Sequence, residues 1–193
     1  MRSTGTSGLL ASGLLAALLA IPTAAASPDD VTAIREATAA FRDVAAADAA
    51  GYGVLTGTPL ELCIDEPGTG GMGFHRVNGD LVGDTVLDPL TPEALIYIPD
   101  AIGEPELVGV EYVVFQEAWD AQDITPPTLL GHELHLVPDP NRYELPAFYQ
   151  IHAWVWRSNP AGMFESFNPT VSCTVPPPPD AMPMGDHPSP APG

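Results

Sequence analysis

The chain has 193 residues, with 25 acidic against six basic side chains and a formal charge of −19 at pH 7. None of the basic residues is a lysine. Such a surface repels nucleic acid and anionic membranes, which excludes those partners. Hydrophobic residues make up 45% of the chain, enough for a packed core.

The N-terminal stretch MRSTGTSGLLASGLLAALLAIPTAAA has one early Arg, a short Leu/Ala run and a small-residue Ala24-Ala25-Ala26 site. This pattern predicts a signal peptide over residues 1–26, cleaved near Ala26. Its apolar run falls short of the ~20 residues of a spanning helix, and no later segment qualifies. The expected location is extracellular or in the cell envelope, with a mature charge of about −20.

Ser27-Pro28-Asp29-Asp30 is a helix start, with a capping side chain, a proline for the first turn and acids at the positive dipole end. Val31, Ile34, Ala37, Phe41, Val44 and Ala45 then recur at helical spacing up to Gly51. One amphipathic helix is expected there. Beyond it, short β-type runs alternate with turn residues: Val54–Cys63, Phe74–Val77, Ala94–Ile98, Leu107–Phe115, His132–Val137 and Phe148–Trp156. No long helices alternate with them, which argues against a doubly wound parallel sheet. The expected fold class is α+β, mainly antiparallel β, a curved sheet or open barrel carrying one N-terminal helix. The Pro-rich end after Cys173 reads as disordered, giving residues 27–175 as a single globular domain and 176–193 as a tail that includes His187.

Gly68-Thr69-Gly70-Gly71-Met72-Gly73 matches G-x-G-x-x-G, but no helix follows to present its N-terminus to a pyrophosphate, so a bent loop is expected. His132-Glu133-Leu134-His135 is one residue short of the zinc-protease H-E-x-x-H and has no room for its helix. On a strand His132 and His135 would face opposite sides. They are weak candidates for ligand binding.

In AFYQIHAWVWRSNPAGMF, strand periodicity puts Phe148, Gln150, His152, Trp154 and Trp156 on one face. Tyr149, Ile151, Ala153 and Val155 share the other. Gln150 and Trp154 can hydrogen-bond to a partner, so the His152 face can support a polar site, with Gln150 and Trp154 as weak binding candidates. Glu111 interrupts the run LVGVEYVVF, where an unpaired carboxylate is costly. The mature chain has only Arg35, Arg42, Arg76, Arg142 and Arg157 to pair with acids. Histidines or a metal therefore become plausible companions for Glu111. His75, Glu111 and His152 lie on three separate predicted strands, and two imidazoles with one carboxylate are a donor set for zinc or non-haem iron. A hydrogen-bonded polar cluster is the alternative. Nothing supports a nucleophile triad: there is no G-x-S-x-G and no lysine.

Cys63 and Cys173, the only cysteines, are expected to form a disulfide in an oxidising compartment, closing a loop of about 110 residues.

The segments GMGFHRVN, DPLTPEALIYIPD, LVGVEYVVFQEAWD, LLGHELHLV and IHAWVWRSNPAGMFESFNPTVSC together resemble a family of exported bacterial proteins with no known activity. The likeness runs from about Asp30 to Cys173. It implies export and a single domain, and places His75, Glu111 and His152 inside its most recognisable motifs without supplying a reaction.

Two functions remain. In one, the protein is a secreted or envelope-associated, monomeric binding protein with a polar His/Glu site in an aromatic pocket, its partner a small molecule or envelope component. In the other, it is a metal-dependent secreted enzyme in which His75, Glu111 and His152 bind a divalent ion, zinc or iron.

Overall fold

The structure, a computed structural model, describes residues 26–173. The expected leader and the Pro-rich tail with His187 lie outside the described residues. Ser27 opens the first helix, α1 (Pro28–Thr38), through a reciprocal capping box. Asp30 N donates to Ser27 Oγ at 3.2 Å, and Ser27 N donates to Asp30 Oδ2 at 2.7 Å. The expected single helix is broken into pieces. A 3-10 turn over Ala39–Arg42 follows, and Asp43, in extended conformation, accepts from Ala45 N to cap a second short helix, α2 (Val44–Ala49). A mid-pattern acid with a free side chain acts here as a new N-cap. Ile34, Thr38 and Ala47 are the buried residues, while Ala37 and Ala45 of the expected stripe are exposed.

The rest is β structure: β1 (Ile64–Glu66), β2 (Gly70–Val77), β3 (Ala94–Pro99), β4 (Pro105–Phe115), β5 (Thr128–Leu129), β6 (His132–Glu133), β7 (His135–Val137) and β8 (Phe148–Ala153). Short helices α3 (Gly79–Asp84) and α4 (Gln116–Asp120), not anticipated from the sequence, follow β2 and β4. A six-stranded antiparallel sheet in the order β1-β2-β3-β4-β8-β7 curls into a half-barrel, and β5 pairs with β6 apart from it. The expected α+β class with an antiparallel curved sheet is the observed one.

Three strand expectations need correction. Val54–Cys63 is not a strand: Thr58 caps a 3-10 turn at Pro59–Glu61, and pairing starts only at Ile64. His132–Val137 is divided at Leu134, whose buried side chain ends one pairing and begins the next. The last strand stops at Ala153, after which Trp156 turns to the helix side and donates from Nε1 to Thr38 Oγ1 at 3.0 Å.

The glycine cluster is loop only at Gly68 and Thr69, which turn between β1 and β2, and is strand from Gly70 onward. Gly71 pairs with Asn168, and a Cβ on Gly70 would lie 2.2 Å from the Asn168 carbonyl oxygen. Gly73 has φ +95°, and a Cβ there would lie 2.5 Å from Tyr97 O. The glycines let the C-terminal segment and β3 approach β2, a packing role that no ligand-binding fingerprint requires. Cys63 and Cys173 are disulfide-bonded, with Cα atoms 5.5 Å apart, joining the start of β1 to that same C-terminal segment.

Strand alternation separates two faces. Leu95, Val110, Tyr112, Val114, Ile151 and Ala153 pack against Ile34 and Ala47 of the helices and form the main core. The opposite face carries His75, Glu111, Val113, Gln150 and His152.

A candidate metal centre at the base of an apolar pocket

Register brings the polar face together. Glu111 on β4 is directly opposite His152 on β8, and across the other edge of β4 it is opposite Ala94 on β3. His75 on β2 is opposite Ile96, two residues along β3 from Ala94. The small Ala94 side chain leaves room for His75 to reach over β3 toward Glu111. His75 Nε2 lies 3.4 Å from His152 Nε2 and 3.6 Å from Glu111 Oε2, and His152 Nε2 lies 3.9 Å from Glu111 Oε1. One ligand atom from each residue falls within 4.8 Å of the other two, and all three residues are buried. Among the described residues this is the only such group of three.

Burial governs their ionisation. It holds the His75 imidazole down to about 4. It also pushes His152 well below its ordinary range, with the nearby His75 and His135 adding to the effect. Desolvation first, and then the nearby carboxylate of Glu93, together raise Glu111 to about 8. Two neutral rings and a carboxylate that gives up its proton to a cation are the protonation states a metal requires.

The arginines beyond residue 26 are engaged elsewhere. Arg76 pairs with Asp48, Arg142 with Glu66 and Arg157 with Glu106. Arg35 donates to Val155 O, and Arg42 stacks over Trp156. Glu111 is therefore left with histidines as its nearest ionisable companions.

The spacing fits a small divalent ion. Four ligands at about 2.0–2.1 Å in a tetrahedron stand about 3.3–3.4 Å apart, whereas a face of an octahedron at similar bond lengths brings them to about 3 Å. The two imidazole nitrogens, 3.4 Å apart, match the tetrahedral value, while Glu111 brings a different oxygen within 3.6 Å of His75 and 3.9 Å of His152, and one atom from each residue lies within 4.8 Å of the others. The rings are fixed by packing. His152 stacks on Trp154 at 6.3 Å between centroids, and His75 meets His152 edge-on. Among the described residues neither Nδ1 has a hydrogen-bond partner, such as the carbonyl or carboxylate that commonly orients a metal-bound imidazole.

His75 and Glu111 line a cavity of about 180 Å³ that opens on this face. Its remaining walls are mainly apolar, with Leu55 from the loop after α2, Leu60 from the 3-10 turn, Val82 from α3, Val113 and Phe148 from the sheet, and Leu145 from the loop before β8. Gln150 and Tyr143 contribute the other polar atoms. The Gln150 Nε2 donates to Ser166 Oγ at 3.2 Å, while its buried Oε1 has no partner. The Tyr143 hydroxyl donates to Met72 Sδ, a weak acceptor, at 3.6 Å.

The other candidates fall outside the group of ligand atoms. Trp154 is a buried wall behind His152, its Nε1 donating to Glu165 O at 2.6 Å. His132 packs on Phe164, centroids 4.1 Å apart, and exposed His135 sits opposite Gln150 on the edge strand. Sequence reasoning missed Glu93, fully buried just before β3. Its Oε2 accepts from Val113 N at 3.1 Å, its Oε1 has no partner, and desolvation pushes it up to about 8. In the sequence it looks like a turn acid between Pro92 and Ala94. Leu55, Leu60 and Tyr143 were equally hidden, because loops bring them to the cavity. No protein-family model, curated protein or solved structure matches the chain.

Proposed function

We propose that the protein is an exported ligand-binding protein whose pocket ends on a divalent metal ion, zinc in the first place, held by His75, Glu111 and His152. The observation that carries this reading is the convergence of three ligand atoms, from three strands, beside an apolar cavity that His75 and Glu111 line. Export is read from the N-terminal pattern, and a disulfide is compatible with an oxidising compartment. No helix among the described residues is long and apolar enough to cross a membrane.

The two histidines would offer neutral Nε2 atoms and Glu111 its carboxylate. The apolar walls exclude water and strengthen each polar contact within. With three protein ligands a tetrahedral ion would keep one position open, and the cavity lined by His75 and Glu111 would give a ligand atom access to it.

The test is zinc content. Protein purified without a histidine tag and dialysed against zinc should retain about one ion per chain, and His152→Ala should retain less than about a tenth of that. A wild-type chain that retains none, and that binds none in direct titration, would overturn the reading.

The same three-ligand set supports a second reading, a metal-dependent hydrolase. Bound zinc supplies Lewis acidity and a water of lowered pKa. In that case Gln150 and Tyr143 would orient the substrate, and zinc-loaded protein should hydrolyse small apolar esters or amides while His75→Ala does not.

A further inference from the structure

The cavity's size and its unmatched polar atom restrict what it can hold. A dry cavity of about 150 Å³ accommodates one benzene ring, so the space here, about 180 Å³, takes one ring or a branched aliphatic group and a compact head. Leu55, Leu60, Val82, Leu145 and Phe148 offer nothing to hydrogen-bond, so they select an apolar body. The polar end is different. Gln150 is only 6% exposed and lies two residues from His152 on the same strand face. One end of its amide is held by Ser166, and the other, Oε1, is buried without a partner. Ser166 Oγ can accept or donate, so rotation of the amide would leave Nε2 unmatched instead. Either way, one amide atom beside the ligand cluster remains to be satisfied, and an unmet buried polar group is costly.

We infer that the pocket binds a small molecule with a single aromatic or branched aliphatic body, and a head that sets a metal-binding oxygen beside a hydrogen-bonding group read by Gln150. Amides, hydroxy acids and hydroxamates have such heads. The inference rests on the metal reading above, because the head oxygen occupies the open coordination position. Gln150 is then the specificity-determining residue, and the leucines and Phe148 measure the body.

Benzohydroxamate and acetohydroxamate share one head and differ only in body, which makes them the probes. Zinc is first quantified in each sample, and zinc-loaded protein is then titrated with each compound by calorimetry. Burial of the ring should make benzohydroxamate bind at least about 10-fold tighter than acetohydroxamate. Gln150→Met, which keeps length and apolar volume, should weaken benzohydroxamate about 5- to 10-fold while zinc content stays at the wild-type level. Equal affinities for the two probes, or an unchanged affinity in zinc-loaded Gln150→Met, would overturn this inference and leave the metal reading standing. A chain that takes up no zinc overturns both. Should Gln150→Met fail to fold, the two-probe comparison on the wild-type chain still decides.

Discussion

The two faces of the same sheet are built on opposite rules. On the helix side the aromatic side chains with polar tips find acceptors: Tyr52, Tyr97, Tyr112 and Trp119 donate to the carbonyls of Pro92, Phe41, Pro89 and Thr125, Tyr149 to the Asp120 carboxylate and Trp156 to the Thr38 hydroxyl. On the other side, three buried side-chain atoms have no partner among the described residues, His75 Nδ1, His152 Nδ1 and Gln150 Oε1, and Glu93 Oε1, just before β3, is a fourth. Three belong to the candidate site, and the fourth to the carboxylate that opposes charge on Glu111. Satisfied polar groups lock a core, whereas unsatisfied ones cluster where a protein meets something else. One face is organised for stability, and the other holds the unmet polar groups on which the proposed binding site rests.

Neighbouring residues on β8 offer the sharpest way to break that comparison. Ile151 faces the helices and His152 the pocket, one residue apart. Ile151→Ala should cost about 2–5 kcal/mol in chemical denaturation while zinc uptake is unchanged. His152→Ala should abolish zinc uptake yet cost the metal-free protein less than about 2 kcal/mol, because it also removes a buried ring nitrogen that had no partner. Equal stability losses for the two would show that both faces are ordinary core.

The next effect in size tests the bond behind both faces. Replacing Cys63 and Cys173 together by Ala should lower stability by about 2–4 kcal/mol, given the 110-residue loop the disulfide closes. Because the bond anchors the segment that packs on Gly70 and Gly71, pocket and zinc binding should survive it at low temperature.

How far the sequence foretold these faces follows from distance along the chain. Period-2 alternation was sufficient to place Gln150 and His152 together and Ile151 opposite, since side-chain direction in a strand is local. That Glu111 would need a companion was also legible, from one acid in an apolar run and few arginines. Register was not: nothing local says that His152 stands opposite Glu111, or that Ala94 leaves room for His75. Glycines at 70–73 looked like a loop because the reason for them, close approach of Asn168 and Tyr97, lies in other parts of the chain. Trp156 was assigned to the wrong face because strand pairing ends three residues earlier than the aromatic pattern does. Glu93 escaped notice because its burial comes from the sheet packed around it.

Glu93 sets a pH dependence for metal-free protein. Its folded-state pKa, about 8, is raised above the ordinary 4.5, so between those values the folded state keeps a proton that the unfolded chain has lost. Stability therefore falls as pH rises through this window, and Glu111, also raised to about 8, acts in the same direction. His75, lowered from 6.5 to about 4, has the opposite slope, its contribution being present above pH 6.5 and lost on acidification toward 4. The slopes oppose each other between 4.5 and 6.5, leaving the carboxylates alone above 6.5. Urea denaturation in the presence of chelator should show stability declining from pH 6.5 to 8. Glu93→Gln, which can still accept from Val113 N, should recover roughly 1–3 kcal/mol at pH 8 and little at pH 5. An equal gain at both pH values would mean that charge on Glu93 is not the cause.

The smallest effect concerns the wall between the faces. Trp154 stacks on His152 and donates from its indole to Glu165 O at 2.6 Å. Trp154→Phe keeps an aromatic surface against the imidazole and removes the hydrogen bond, leaving the Glu165 carbonyl to find another donor. The expected stability loss is about 1 kcal/mol. Zinc affinity should change by less than about 3-fold, because ring contact rather than the indole N–H holds His152, whose Nδ1 is bonded to no protein group. Trp154→Ala should do more, opening a void beside His152 and releasing its ring. If zinc affinity drops as far in Trp154→Phe as in Trp154→Ala, the turn at Glu165 orients the metal ligand through that hydrogen bond, and packing alone does not define the site.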